Sequence, residues 1–255
     1  FLLILGDRYE LIAPSLSFFF MNIPIIHING GDITEGSLDD KIRNLITSIS
    51  SIHFVTNQNS EKRVKNILGH NKHIYNVGSL SYSRLINTKT LNKKYLEKKF
   101  KIKFSKYNCL VTFHPITNNK KQTSFQLNEL LLALKETINT TILFTFPNND
   151  EGSNFIINRI KKFIKTKDNS YIVESLGFEN YINFCKKTDF VIGNSSSFVI
   201  EIPILKIPSI VIGNRQKGRQ MPNYVFPIKA SKKRILDTIK NIISKKITYK
   251  STKNI

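Results

Sequence analysis

Short apolar runs rich in Ile, Val and Phe recur along the chain, and stretches with helical spacing separate them. Strands are predicted at Leu2–Leu5, Ile23–Ile28, His53–Val55, His73–Val77, Cys109–Phe113, Thr141–Phe146, Tyr171–Val173, Phe190–Ile192 and Ser209–Ile212. Helices are predicted at 8–21, 39–50, 59–68, 81–87, 124–138, 152–166, 178–187, 196–202 and 231–246. Leu127, Leu130, Leu131 and Leu134 fall on one helical face, as do Ile235, Ile239, Ile242 and Ile243. Continuous apolar strands alternating with helices demand parallel sheets with helices on their faces, because both sheet faces need cover. The expected class is α/β, with two doubly wound domains and no internal repeat. Residues 88–107 are polar and lysine-rich. The expected division is therefore 1–90 as the first domain, 91–107 as a linker region and 108–255 as the second. The chain opens on a strand already running into its turn, so the first domain is expected to lack its N-terminal part. Two or three βα units of about 30 residues each would restore it.

Composition narrows the functional classes. The formal net charge is +21, which raises nucleic acid as a partner. The basic residues, however, are spread over several helical faces (Lys62–Lys65, Lys93–Lys103, Arg159–Lys167, Lys232–Lys246), and the aromatics sit in apolar runs rather than among them. A solvated basic surface that draws in an anionic substrate is the expected reading, with no nucleic-acid partner. No apolar run is long enough for a membrane span, and no secretory signal is visible. Cys109 and Cys185 have no framework spacing, so a reduced, cytoplasmic setting is expected.

In open α/β sheets ligands collect at the carboxyl ends of the strands. Residues 189–201 are the most informative of these ends: a buried strand runs into Gly193-Asn194-Ser195-Ser196-Ser197 and then into a helix. Free main-chain donors, hydroxyls and the helix dipole favour a phosphate there, while an ordinary serine cap is the alternative. Glu201 is placed to accept from a ribose. Polar residues also follow other strands: Asp7 and Arg8; Asn29, Gly30, Gly31 and Asp32; His114; Asn148; Arg215 to Arg219. Arg8 and Arg215 suit a diphosphate through forked donors, or are isolated surface residues. His114 suits a phosphate contact, an acid role, or a satisfied structural position. Asp7, Asp32, Asp39 and Asp40 supply carboxylates for acid–base work, and Asp39 or Asp40 suits a helix N-terminus equally well. The histidines show no zinc spacing, and there is no Walker A sequence, no G-x-G-x-x-G after a strand and no G-x-S-x-G.

The motifs Gly6-Asp7-Arg8-Tyr9-Glu10, His27-Ile28-Asn29-Gly30-Gly31-Asp32 with Asp39-Asp40-Lys41-Ile42-Arg43, Thr112-Phe113-His114-Pro115, Phe146-Pro147-Asn148, Gly193-Asn194-Ser195-Ser196 and Gly213-Asn214-Arg215-Gln216-Lys217-Gly218-Arg219 occur in this order. Together they resemble the hydrolysing UDP-N-acetylglucosamine 2-epimerases of sialic-acid biosynthesis. The resemblance implies two Rossmann-like domains in a GT-B-like fold that takes a UDP-sugar, with neither metal nor NAD. It implies elimination of UDP, then hydration with inversion at C2, releasing N-acetylmannosamine. By position, Asp7 and Asp39 match family acid–base carboxylates, Arg43 would orient one of them, and Asp32 matches a further acidic position. Arg8, His114, Asn148, the backbone near Leu176, Ser195, Ser196, Glu201 and Arg215 would contact the UDP-sugar. A homodimer or homotetramer is also implied. Many family members carry a catalytic Glu where this chain has Asn29, which cannot exchange a proton as a carboxylate does. The same chemistry on a UDP-2,4-diacetamido-trideoxy-hexose, a GT-B glycosyltransferase and a catalytically silent UDP-sugar binder are the alternatives.

Overall fold

The computed structural model describes residues 1–33, 38–116, 119–217, 219 and 221–244, without the side chains of Leu38, Ser81 and Ser83. Gly218 of the last motif and the end of the expected helix 231–246 lie outside the described residues. The chain divides into two units, Phe1–Ile86 with Lys217–Arg219, and Asn87–Gln216 with Gln220–Ile255.

The first unit carries β1 (Leu2–Leu5), α1 (Ile12–Phe20), β2 (Ile25–Ile28), α2 (Leu38–Ile49), β3 (Ile52–Val55), α3 (Gln58–Leu68), β4 (Ile74–Asn76) and α4 (Leu80–Ile86). Its strands lie parallel in the order β1-β2-β3-β4. Helix 8–21 was expected to be continuous. Instead Tyr9–Leu11 form a 3-10 turn and α1 starts at Ile12. Pro14 lacks an N–H and so belongs in a first helical turn, where that donor has no intrahelical partner. Ile4, Ile25, Ile42 and Ile46 form the core beneath α1 and α2. Leu3 and Leu5, on the opposite face of β1, are both 56% exposed.

The second unit carries α5 (Lys93–Phe100), β5 (Tyr107–Thr112), α6 (Lys120–Lys135), β6 (Thr140–Thr145), α7 (Ser153–Ile164), β7 (Ser170–Val173), α8 (Phe178–Cys185), β8 (Phe190–Gly193), α9 (Ser197–Ile200), β9 (Ser209–Ile212), β10 (Val225–Ile228) and α10 (Lys232–Ile243). The sheet is six-stranded and parallel in the order β10-β9-β8-β5-β6-β7. Winding starts at β5, moves outward through β6 and β7, then returns to β8 and moves the other way. This is the doubly wound pattern, with its switch point between β5 and β8. Every residue of β6, β8 and β9 is buried, as a sheet covered on both faces requires. The leucine face of α6 and the isoleucine face of α10 join one of its two cores.

Three further departures from the sequence reading lie in the second unit. The stretch 91–107 holds α5, capped by Asn92 accepting from the Tyr95 N–H and anchored by fully buried Leu96. β10 has no counterpart among the expected strands, because Pro227 interrupts its sequence pattern. At a sheet edge a proline costs no ladder bond, and β10 is an edge strand. The helix expected at 196–202 stops at Ile200 and gives way to a 3-10 turn at Ile202–Leu205. Pro203 cannot donate to the carbonyl of Val199, which ends the α-helical ladder.

Candidate functional site

In the first unit, acidic and basic groups gather where β1 and β2 end and α2 begins. Arg43 is 5% exposed. Its Nη2 pairs with Oδ2 of Asp7, its Nη1 donates to Asp40 Oδ1 at 2.7 Å, and Nη1 also donates to the main-chain oxygen of Asp32. Burial, then the neighbouring guanidinium groups of Arg219 and Arg63, lowers Arg43 from its ordinary value to about 10. It therefore stays charged at neutral pH and pairs with two carboxylates at once. Asp39 and Asp40 occupy the first turn of α2, where the helix dipole favours negative charge.

Asp32 is fully engaged on one side. Its Oδ1 accepts from the Thr56 hydroxyl at 2.8 Å and the Ser60 hydroxyl at 2.6 Å. It thereby ties the loop after β2 to the start of α3. Gly31 lies in this loop with φ +79°, and a Cβ there would stand 2.3 Å from the Ser60 carbonyl oxygen. Asn29 has φ +65°. Asparagine enters that left-handed region more readily than longer side chains, which gives a local reason for Asn here.

His27 supports this turn from beneath. Its Nε2 lies 2.9 Å from the Gly6 carbonyl and its Nδ1 lies 3.1 Å from the Thr47 hydroxyl. Burial lowers its pKa, so the ring is neutral, donating from Nε2 and accepting at Nδ1. The residue before Asp7 is thus tied to the helix that carries Arg43. Arg8, by contrast, is exposed and forms a 3.0 Å ion pair with Glu10.

In the second unit, the switch point assembles the loops after β5, β6, β8 and β9. His114, just past β5, is 6% exposed. Its Nδ1 accepts the N–H of Asn148 from the loop after β6 at 3.1 Å. Burial, and secondarily the charge of Arg215, lowers its pKa to about 4. The ring is therefore neutral at pH 7 with its proton on Nε2. It is suited to donate a hydrogen bond to an anion, and it carries no proton to give as an acid of ordinary strength.

After β8, Gly193 adopts φ +149°, and a Cβ there would lie 1.9 Å from the Thr112 carbonyl oxygen. Only glycine lets β8 approach β5 this closely. Asn194 is fully buried and Ser195 is 7% exposed. Ser196 stands at the N-cap of α9, but its hydroxyl makes no capping bond. Ser196 therefore does not act as an ordinary side-chain cap of α9. The Ser197 hydroxyl is 2.8 Å from the Tyr181 hydroxyl. α9 has only four residues, so its dipole is far weaker than the expected helix would give. Arg215 reaches back from the loop after β9, its Nη1 donating to the Asn194 carbonyl at 3.3 Å. Leu176 is buried, and its carbonyl accepts from Asn180 Nδ2 at 2.8 Å. Glu201 ends α9 as its C-cap. A cavity of about 1000 Å³ between the start of α6 and the start of α7 is lined by Pro115, Thr123, Asp150 and Phe155, and His114 is not part of its wall.

A family model described as UDP-N-acetylglucosamine 2-epimerase matches residues 1–255. The chain belongs to the UDP-N-acetylglucosamine 2-epimerase family. Among curated members, it is 38% identical over 217 residues to a GDP/UDP-N,N'-diacetylbacillosamine 2-epimerase (hydrolyzing) of Campylobacter jejuni, covering 85% of this chain and 56% of that relative. It is 35% identical over 235 residues to the polysialic acid biosynthesis protein P7 of Escherichia coli, covering 92% and 60%. The chain thus spans less than two thirds of the length of either relative. Among solved structures, the family's fold is shared with a UDP-GlcNAc 2-epimerase from Neisseria meningitidis bound to UDP-GlcNAc (TM-score 0.79, 18% identity, 95% of this chain and 67% of that one). It is shared also with the Staphylococcus aureus MnaA–UDP structure (TM-score 0.74, 19% identity, 94% and 66%). These likenesses establish the GT-B-like α/β fold.

The structure brings Asp7, Arg43 and the start of α2 together in the first unit. It brings His114, Asn148, Asn194 and Arg215 together in the second. Sequence reasoning missed Asp40 as an ion-pair partner of Arg43, although their i,i+3 spacing is a visible signal. It also missed His27, Thr47 and Gln216. His27 and Gln216 stand within motifs quoted for the resemblance, but no role was assigned to either. Among the described residues no group of three or more His, Cys, Asp or Glu side chains could hold a metal, and no helix is long and apolar enough to cross a membrane.

Proposed function

We propose that this chain is the catalytic body of a hydrolysing UDP-sugar 2-epimerase. UDP is held at the switch point by the His114 Nε2–H, Asn148, the Ser195 and Ser196 turn and Arg215, with Glu201 on the ribose and the backbone at Leu176 near the uracil. Arg8 contacts the UDP-sugar after leaving Glu10. Asp7 and Asp39 carry the acid–base work, with Arg43 fixing Asp7, and Asp32 acts mainly by holding its loop. One carboxylate takes the C2 proton as the C1–oxygen bond to UDP breaks, giving a glycal-type intermediate. Water then adds at C1 and a proton returns to the opposite face of C2. The balance is UDP-sugar plus water to UDP plus the 2-epimeric free sugar. Cytoplasmic residence suits the two buried free thiols, Cys109 and Cys185.

The observation that carries this reading is the Asp7–Arg43–Asp40 cluster. A nearly buried guanidinium shared between carboxylates at a strand end suits acid–base chemistry more than nucleotide binding. The sugar proposed is N-acetylglucosamine. The Campylobacter relative's printed substrate favours a 2,4-diacetamido sugar as the second reading. Incubation with each UDP-sugar, followed by proton NMR, tests both. UDP and the free 2-epimer should appear in equal amounts from one of them. A UDP-linked epimer would make the enzyme non-hydrolysing, and a transferase would need an acceptor before releasing UDP.

A further inference from the structure

Asn194 sits at the switch point yet is 0% exposed, so it touches no ligand. Its Oδ1 accepts the main-chain N–H of His114 at 2.7 Å, and its Nδ2 donates to the His114 carbonyl at 2.9 Å. Its own carbonyl accepts from Gln216 Nε2 at 2.9 Å and Arg215 Nη1 at 3.3 Å. Its N–H donates to the Thr112 carbonyl at 3.2 Å. The carboxamide imitates a peptide unit, pairing both ways with one residue of a neighbouring loop. One residue thus joins the loops after β5, β8 and β9. Those loops bear three different proposed contacts to the diphosphate: His114, the serine turn and Arg215.

We infer that Asn194 is a positioning residue for the anion site, fixing where the His114 ring and the Arg215 guanidinium stand. The inference rests on the UDP reading for its ligand, but its hold on His114 is independent of that reading. With the His114 main chain pinned, Nδ1 meets the Asn148 N–H and the ring proton stays on Nε2. Without the pin, that bond lengthens and both neutral tautomers become populated. A purely structural asparagine would lower stability alone.

The test uses Asn194→Ala, which removes both side-chain bonds, and Asn194→Asp, which keeps the acceptor for the His114 N–H. In histidine-selective nitrogen NMR without nucleotide, the wild type should show His114 as the Nε2–H tautomer and Asn194→Ala a mixture. In calorimetry with UDP, Asn194→Ala should bind about tenfold more weakly, with Asn194→Asp in between. A folded Asn194→Ala with wild-type ring signals and wild-type UDP affinity overturns the inference. Should Asn194→Ala fail to fold, Asn194→Asp decides: it loses the Nδ2 donor to the His114 carbonyl, so it should weaken UDP and shift the His114 signals, and no change in either overturns the inference. A wild type that does not bind UDP contradicts the proposed function, while the ring signals still decide the hold on His114.

Discussion

Arg43 is a single guanidinium that serves two carboxylates and a main-chain carbonyl. Lysine keeps the charge but has no planar fork, so it cannot hold Asp7 and Asp40 in fixed directions together. Arg43→Lys should lower kcat about 100-fold while leaving UDP affinity within about twofold, read by steady-state kinetics and calorimetry. Equal losses in both would place Arg43 in nucleotide binding instead. The buried histidines give a pH signature. Burial holds His53 and His114 at about 4 in the folded chain, against an ordinary 6.5, and lowers His27 as well. The unfolded chain therefore binds more protons at these histidines between pH 6.5 and about 4, so their contribution lowers stability as pH drops through that window. Denaturant melts across pH 4–7 should show this slope, and His53→Phe should make it shallower. At this scale the sequence marked residues by position after a strand, which singled out Asp7, His114 and Arg215. Sequence reasoning ranked Asp40 with the helix dipole despite the i,i+3 spacing to Arg43, and it could not show that Asn194 points inward. Both depend on partners more than two residues away in the chain.

The loop after β8 is governed by the approach of β8 to β5. Gly193→Ala would drive a methyl group into the Thr112 carbonyl, and main chain cannot rotate aside as a side chain can. A loss of at least about 2 kcal/mol is expected, seen as a lowered melting temperature together with lost UDP binding. A melting temperature equal to wild type would mean that β5 and β8 are less closely apposed. The strands legible in the sequence were those with unbroken β-branched runs. β10 was not legible because its Pro227 is tolerated only through its place at a sheet edge, and edge position is a property of the whole sheet. α5 was hidden by its lysines, since its anchoring rests on Leu96 and an Asn92 cap rather than on a full apolar face. The short α9 shows the reverse: Pro203 was visible and its effect on the preceding helix was underweighted.

For the molecule as a whole, the β–α alternation fixes the class, because parallel strands leave few ways to cover both faces. Strand order was not legible, since the return from β7 to β8 at the switch point is set by packing over long sequence distances. The two units hold different groups: carboxylates around Arg43 in one, and a neutral histidine joined to the Asn148 and Asn194 loops in the other. The central claim is that these serve one reaction at C2 of a UDP-sugar. Turnover of UDP-N-acetylglucosamine in deuterated water, followed by proton NMR, tests it most directly. The account predicts N-acetylmannosamine carrying deuterium at C2, released together with UDP. Release of UDP with the original C2 proton retained would contradict it.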